Sequence, residues 1–260
     1  MLSEQTITRQ EIAEAFEEFL ERGARGSRWV DWAALFTDDA QYTEHCLGSS
    51  NGRAEIEAWI LGAMEPFPNM TFSVDWSMID GNRVAFWLWN HLPDPNGEDV
   101  NYGFPNLSII TYAGDGRWSA EEDFYHPSAA GSIVTAWAEA GGTAETAADP
   151  TIEPHRPSHP ALPSPAPDRA IIEAVADALV SENWLDLIAW GADYHDHGRR
   201  PIQRWAEVPR TERYRVIDGS RVVVVVDHEV PAAIVAHVNE TGRVTYIDHV
   251  YNPLVKPAAD

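Results

Sequence analysis

Apolar side chains recur along the chain at two spacings, and each spacing predicts a different kind of element. Recurrence every three or four residues predicts amphipathic helices, whereas alternation and short apolar runs between turn residues predict strands. The predicted helices cover 11–21, 54–63, 129–140 and a segment that starts near 168. The predicted strands of the first half cover 70–79, 83–92, 107–112 and 117–125. Helices followed by antiparallel strands indicate an α+β fold.

A short polar stretch, 42–45, stands on a further strand that precedes the others. A short helix is expected before it, ended by Asp38-Asp39. Side chains alternate along a strand, so Tyr42 and Glu44 share one face while Thr43 and His45 share the other. A tyrosine and a carboxylate side by side on a mostly apolar strand predict the polar end of a small pocket.

The second half of the chain repeats the first in the same order. Tyr42 and Tyr194 each come ten residues after a tryptophan, and the run 79–84 matches 217–222. Tyr125 and Tyr251 each come eight residues after the arginine of a Gly-Arg pair, which aligns 125–127 with 251–253. Ordered, ungapped blocks of this kind indicate a tandem duplication, and the second copy lacks about one helix.

Composition sets the expected domain limits and excludes several partners. Proline density predicts a linker over 143–167, between a domain over 1–142 and a shortened one over 168–260.

The 18 basic against 41 acidic residues give a formal charge of −23, which disfavours nucleic acid and anionic membrane. No apolar run reaches the length of a membrane span, and no signal peptide is evident, so a cytoplasmic location is expected. Cys46 is the one cysteine, which fits a reducing compartment.

Residues 8–140 resemble a nuclear transport factor 2-like (NTF2-like) domain of the SnoaL-like group, which includes ketosteroid isomerase, polyketide cyclases and limonene-epoxide hydrolase. The segments that carry the resemblance are 32–36, 42–48, 52–59, 79–84 and 116–127. The resemblance implies two conical α+β barrels, the second truncated, each with a pocket between helices and a curved sheet. It also implies an intrachain pseudo-dimer, with a homodimer left open.

The resemblance implies roles for several residues. Tyr42 matches a tyrosine that positions water in limonene-epoxide hydrolase, Glu44 stands where that enzyme has asparagine, and Asp123 falls near its late aspartate. The Arg-x-Asp pair of that enzyme has no match, because Trp89-Asn90-His91 lies there. In the isomerases and cyclases, an Asp or His acts as base beside donors to an enolate oxygen, and Glu44, Asp123 and His91 are the candidates here.

Residue by residue, some alternatives stay open. Glu122 and Asp123 lie on opposite strand faces, and alternation with Trp118 favours Glu122 on the apolar face although the resemblance favours Asp123. His45 and His197 are expected to make structural hydrogen bonds. Aromatic side chains are expected to line a site for a flat, apolar ligand. The aromatic candidates are Trp32, Trp59, Trp89 and Phe124.

These observations predict a cofactor-independent enzyme that isomerises, cyclises or dehydrates a small, apolar, oxygenated molecule. Glu44 or Asp123 would move the proton, and Tyr42 and His91 would donate hydrogen bonds to the oxyanion. A non-catalytic binding or assembly module and an epoxide hydrolase are the alternatives. Nucleotide motifs are absent, and His195 with His197 lacks further ligands, so neither a cofactor nor a metal is predicted.

Overall fold

The computed structural model describes residues 7–45, 47–147, 159–181, 184–196, 211–227 and 231–251, with Asp196 and Tyr251 described by their backbones alone. The described residues divide into two compact units. The first unit lies within 1–123 and 129–157, and the second within 124–128 and 158–260. Each contains helical segments and one sheet, so the predicted α+β class is confirmed. The predicted linker 143–167 lies partly outside the described residues, and its limits stay predictions.

Helices of the first unit begin and end close to the predicted positions. They are α1 (Arg9–Arg22), α2 (Trp29–Ala33), α3 (Arg53–Met64) and α4 (Pro127–Glu139). The hydroxyl oxygen of Thr8 accepts a hydrogen bond from the Glu11 amide at 3.2 Å, which is the predicted cap of α1. Helix α1 buries one apolar face, on which Phe16 and Phe19 lie with ring centroids 5.0 and 6.1 Å from that of Phe86.

The first sheet has six strands in the order β2-β1-β6-β5-β4-β3. They are β1 (Phe36–Glu44), β2 (Gly48–Asn51), β3 (Thr71–Asp80), β4 (Arg83–Leu92), β5 (Tyr102–Gly114) and β6 (Arg117–Phe124). Strand β1 runs parallel to β6, its neighbour in the sheet, and the remaining pairings given by register are antiparallel. The first and last strands of the unit therefore lie side by side.

Two strand limits differ from the sequence prediction. Asp38 and Asp39 lie inside β1, because the strand already begins at Phe36. Both are exposed, and the register against β6 shifts between Phe36 and Gln41, so an irregularity in β1 accommodates these polar residues without breaking the strand. Strand β5 begins at Tyr102, ahead of the predicted start at 107, and so includes Asn106.

The second unit has a five-stranded sheet in the order β7-β11-β10-β9-β8. Its elements are α5 (Arg169–Leu179), a single 3-10 turn (Trp184–Leu187), β7 (Ile188–Asp196), β8 (Thr211–Asp218), β9 (Arg221–Asp227), β10 (Ala232–Val238) and β11 (Val244–Tyr251). Helix α5 packs its apolar residues, including Ile172 and Leu179, into a core that includes β9, β10 and β11 side chains. Strand β7 runs parallel to β11.

The two sheets share one pairing pattern. Phe36 pairs with Trp118 in the first, and Ile188 pairs with Val244 in the second. In both, the register then shifts before pairing resumes, at Gln41 in the first sheet and Asp193 in the second. This agreement of order, direction and irregularity supports the predicted duplication. Within the described ranges, no helix combines the length and the apolar character that crossing a membrane requires.

Candidate functional site

Four buried polar side chains lie together on strands β1 and β6. The parallel register places Tyr42 beside Glu121 and Glu44 beside Asp123. All four are between 3% and 5% exposed. Tyr42 and Glu44 share one face of β1, as alternation predicts, and Tyr42 belongs to the apolar core beneath the helices. The predicted pair, Tyr42 and Glu44, therefore lies beside two further carboxyl groups. We call these four side chains, together with Ser108 and Asn106, which contact Asp123, the polar group.

Asp123 is the best connected of the four. The Tyr42 hydroxyl donates a hydrogen bond to Oδ2, and the Ser108 hydroxyl donates to Oδ1 at 2.5 Å. Asn106 Nδ2 donates to Oδ1 at 3.0 Å and to the Ser108 hydroxyl oxygen at 3.0 Å. A carboxylate has about four lone-pair positions, so these donors occupy three and leave one on Oδ2. Asp123 is thus held in place with one acceptor position open.

The carboxyl groups of Asp123 and Glu121 both have raised pKa values, but their neighbours act on them in different directions. Burial raises the pKa of Asp123, although hydrogen bonds from Ser108, Tyr42 and Asn106 and the charge of His45 partly oppose this. Burial raises the pKa of Glu121 well above its usual range, and the carboxylates of Asp123 and Glu44 raise it further. Hydrogen bonds therefore oppose the rise in the pKa of Asp123, whereas the neighbouring carboxylates add to the rise in the pKa of Glu121, so protonation is favoured more at Glu121 than at Asp123.

Tyr42 remains a hydrogen-bond donor in this setting. Burial raises the pKa of its phenol well above the usual value, and the neighbouring carboxylates raise it further. The Trp59 ring, from α3, lies against the Tyr42 ring with centroids 4.4 Å apart. The Trp32 ring meets it edge-on at 6.4 Å. Two of the predicted aromatic residues therefore lie next to the polar group.

Strand β6 resolves the alternative between Glu122 and Asp123. Asp123 points into the unit, whereas Glu122 points to the other side of the strand and its Oε2 lies 3.0 Å from His45 Nε2. Alternation with Trp118 favoured Glu122, but Trp118, Glu121 and Asp123 are all buried, so the inward face changes phase along β6. His45 makes the side-chain hydrogen bond expected of it, and His197 lies outside the described residues.

His91 and Trp89 lie on the other face of the sheet. The pairing of β4 with β5 runs without a shift and places Leu88 beside Asn106 and Phe86 beside Ser108. His91 and Trp89 alternate with those β4 residues, so they point away from Asp123. His91 Nε2 instead lies 3.0 Å from the Ser73 hydroxyl oxygen. The structure does not bring His91 or Trp89 to the polar group.

Phe124 is buried but follows Asp123 directly on β6, so its side chain leaves the strand on the opposite side. Conversely, the sequence analysis missed Glu121, Asn106 and Ser108. A signal for the last two was present, because Asn106 and Ser108 alternate with apolar residues on β5 in the same phase as Ile110. Glu121 gave no such signal, since it lies past the change of phase on β6.

The second unit keeps the tyrosine contact but little of its polar surroundings. Tyr194, on β7, places its hydroxyl oxygen 3.1 Å from His249 Nδ1 on β11. The strand registers make Tyr194 equivalent to Tyr42 and His249 equivalent to Asp123. The positions equivalent to Glu121, Ser108 and Asn106 are apolar. They are Ile247, Ile234 and Ala232, respectively.

A separate buried group lies on the other face of the second sheet. Arg221 Nε donates a hydrogen bond to His237 Nε2 at 3.1 Å, and the Tyr246 hydroxyl donates to Asp248 Oδ2 at 2.9 Å. Burial lowers the pKa of His237 to about 3, and the charge of Arg221 acts in the same direction. His237 is therefore neutral near physiological pH.

Across the ranges that the structure describes, no three or more His, Cys, Asp or Glu side chains are grouped to hold a metal ion. His195 is described, whereas His197, its proposed partner as a ligand, lies outside those ranges, as does Cys46. The donors that contact Asp123 are a phenol, a hydroxyl and a carboxamide. This set suits the orientation of a carboxylate.

Comparison with known proteins agrees with the fold. Residues 11–121, within the first unit, match the SnoaL-like domain family, which confirms the predicted resemblance for that part of the chain. The mixed α+β architecture agrees with the predicted NTF2-like fold class. The match includes Tyr42, Glu44, Asn106, Ser108 and Glu121 and ends before Asp123. No curated protein matches the chain.

Several solved structures are similar to about half of the chain. One is a protein with a ketosteroid isomerase-like fold from Catenulispora acidiphila, 20% identical, over 45% of this chain and 87% of that one, with a TM-score of 0.36. A SnoaL-like polyketide cyclase from Jannaschia sp. is 18% identical over 46% and 90%, with a TM-score of 0.37. An epoxide hydrolase of M. tuberculosis is 17% identical over 50% and 94%, with a TM-score of 0.40.

Proposed function

We propose that the first unit is a cofactor-independent enzyme in which Asp123 removes and returns a proton on a small, apolar, oxygenated molecule. The observation that carries this proposal is the arrangement of three neutral donors around one buried carboxylate with a lone-pair position open on Oδ2. The reaction class is isomerisation, cyclisation or dehydration, in which one base can serve both proton transfers.

The environment of Asp123 suits a general base. A base is most effective when its pKa lies near the working pH, and burial moves the pKa of Asp123 upward in that direction. The hydrogen bonds that Asp123 accepts also fix the direction in which its open lone pair points. Because protonation is favoured more at Glu121, Asp123 retains the charge that proton abstraction requires.

The aromatic residues indicate the kind of substrate. Trp59 and Trp32 lie against Tyr42, whose hydroxyl reaches Asp123. A flat apolar molecule that packs on these rings would hold an acidic C–H near the carboxylate. Asp123 is the carboxylate that Tyr42, Ser108 and Asn106 contact, so we place the proton transfer on Asp123.

The proposal is tested by finding a ligand and then removing the base. Thermal-shift measurements on the full chain against cyclic ketones, steroids, aromatic polyketides and epoxides identify the substrate class, because a ligand at about a hundred times its Kd adds roughly 2.7 kcal/mol. Turnover of a class-selective ligand is then compared between the wild type and Asp123→Asn, with Glu139→Gln on the exposed face of α4 as the matched control. Turnover that survives in Asp123→Asn contradicts the proposal. An absence of stabilisation by every class favours a binding or assembly module.

Epoxide hydrolysis is a second candidate, because Tyr42 and an asparagine both contact the same aspartate. The asparagine is Asn106 of β5, whereas the resemblance to limonene-epoxide hydrolase placed one at the position of Glu44. A water held by Asp123 and Asn106 would attack an epoxide. Formation of a diol with oxygen from labelled water would distinguish this candidate from isomerisation, which incorporates no oxygen.

A further inference from the structure

Two buried acceptor atoms in the polar group have no hydrogen-bond donor among the residues that the structure describes. They are Asn106 Oδ1 and Glu121 Oε2. Asn106 Nδ2 donates hydrogen bonds to both Asp123 and Ser108, so a 180° flip of the amide group would lose both of them. A buried acceptor without a donor is destabilising, and a ligand with N–H or O–H groups would remove that penalty.

The same group has more negative than positive charge around it. Glu44, Glu121 and Asp123 are buried on adjacent strands, and the donors to Asp123 are all neutral. The positive charge that acts on Asp123 comes from His45, whose imidazole is paired with Glu122 on the reverse side of the strands. The full chain, at −23, adds a field that attracts cations.

We propose that the substrate of this site carries a protonated primary or secondary amine, whose N–H groups donate to Asn106 Oδ1 and to the carboxyl group of Glu121. The proposal rests on the proposed function, since it names the substrate class of the same pocket. A cation at Glu121 would also lie near the Tyr42 ring, because the strand register places Tyr42 beside Glu121. When Asp123 removes a proton and an oxyanion forms on the substrate, the ammonium group also supplies a positive charge that stabilises that oxyanion.

Binding of an ammonium group has a measurable consequence for Glu121. In the empty site, Glu121 holds a proton because burial and neighbouring carboxylates disfavour its charged form. A bound cation favours the charged form, so Glu121 releases its proton to the buffer. A neutral alcohol of the same shape can donate a hydrogen bond but brings no charge, so it releases no proton.

The test is titration calorimetry of the full chain with matched probes. Benzylamine and cyclohexylamine are compared with benzyl alcohol and cyclohexanol, in buffers of different ionisation enthalpy at one pH. We expect each amine to bind about tenfold more tightly than its alcohol and to release up to one proton. Benzyltrimethylammonium, which has the charge but no N–H group, is expected to bind less tightly than benzylamine. Equal affinity of amines and alcohols overturns the proposal.

Variants connect the binding to the named atoms. Glu121→Gln keeps the shape of the protonated carboxyl group and is expected to abolish proton release and reduce the preference for amines. Asn106→Ala is expected to weaken amine binding, and Glu139→Gln is the control that changes neither property. Unchanged amine binding and proton release in Glu121→Gln would place the amine elsewhere and overturn the proposal. Failure of the proposed function is a separate result: it shows as undiminished turnover in Asp123→Asn whatever the outcome with amines.

Discussion

The sheets of the two units share one pairing pattern but differ in the polar residues that they bury. Both pair their first strand in parallel with their last, and both join a tyrosine on the first strand to a titratable residue on the last. In the first unit the tyrosine meets Asp123 amid further polar groups, and in the second it meets His249 amid apolar ones. The apolar positions of the strands therefore maintain this fold, and a few inward positions decide whether it buries a cluster of polar residues.

The difference between the two units follows from the hydrogen-bond donors that a buried carboxylate requires. A buried carboxylate is stable only when donors surround it, so Asp123 depends on Ser108, Asn106 and Tyr42 together. A histidine ring has two nitrogen atoms to satisfy, whereas a carboxylate has about four lone-pair positions, and His249 is fully buried with Nδ1 3.1 Å from the Tyr194 hydroxyl oxygen. Once the acid is absent, its donors lose their partner, and isoleucine and alanine at those positions pack without unpaired polar atoms.

The largest expected effect compares the two titratable residues. Asp123→Asn is expected to lower kcat/KM by about 10²- to 10⁴-fold, the range of a lost general base. His249→Asn, at the equivalent position, is expected to leave kcat/KM unchanged, because Ile247, Ile234 and Ala232 stand where the first unit has Glu121, Ser108 and Asn106. Steady-state kinetics with the substrate found by thermal shift checks both variants, and circular dichroism checks that each is folded. Equal losses in the two variants would show that the units share the activity.

The next effect concerns stability. Ile234→Ser is expected to destabilise the second unit by about 3–5 kcal/mol, because it removes a buried side chain and buries a hydroxyl among apolar neighbours. Ser108→Ala, at the equivalent position of the first unit, is expected to cost about 1–3 kcal/mol through the lost donor to Asp123. Hydrogen exchange measured on peptides of each unit reports both. A loss for Ile234→Ser no larger than that for Ser108→Ala would contradict the described apolar core.

A smaller effect is expected when the equivalent tyrosines, Tyr42 and Tyr194, are each changed to phenylalanine. Tyr42→Phe removes a donor to Asp123, so the pKa of Asp123 is expected to rise and the acidic limb of the pH–rate profile to move to higher pH. Tyr194→Phe is expected to cost about 1 kcal/mol of stability without moving that profile. A profile that stays in place in Tyr42→Phe would mean that another group governs the acidic limb.

The smallest effect is the opposite response of the units to pH. The folded pKa of Glu121 is raised, so its contribution is fully present below the unfolded value near 4.5 and is lost as pH rises through the raised pKa. The folded pKa of His237 is lowered to about 3, so its contribution is present above the unfolded value near 6.5 and is lost as pH falls toward 3.

In each unit, a single substitution is expected to reduce the pH dependence of stability. Glu121→Gln is expected to be more stable than the wild type at pH 8 and no more stable at pH 4. His237→Gln is expected to reduce the loss of stability of the second unit between pH 6.5 and 4. Thermal unfolding across this pH range, with hydrogen exchange to separate the units, checks both, and parallel pH curves for wild type and Glu121→Gln would show that this proton is not held by Glu121.

The sequence predicted elements better than it predicted which side chains meet. Helix caps, turns and apolar periodicity are local, so α1 and β4 were placed within two residues of their observed limits. The polar group depends on events that local patterns do not report. The inward face of β6 changes phase between Trp118 and Glu121, and an uninterrupted alternation cannot show this. His91 was assigned to the pocket because β4 is apolar on both faces, which hides the face that a residue occupies.

The position of β1 beside β6 has a consequence for how the protein is made. Tyr42 and Asp123 are separated by 81 positions, and β2, α3, β3, β4 and β5 lie between them. During synthesis, β1 leaves the ribosome long before β6, its partner strand. Until β6 is made, Glu44 lacks Asp123, its neighbour in the folded sheet. The polar group is complete only when the last strand has been made. A nascent chain that stalls before residue 123 lacks Asp123 and cannot assemble that group.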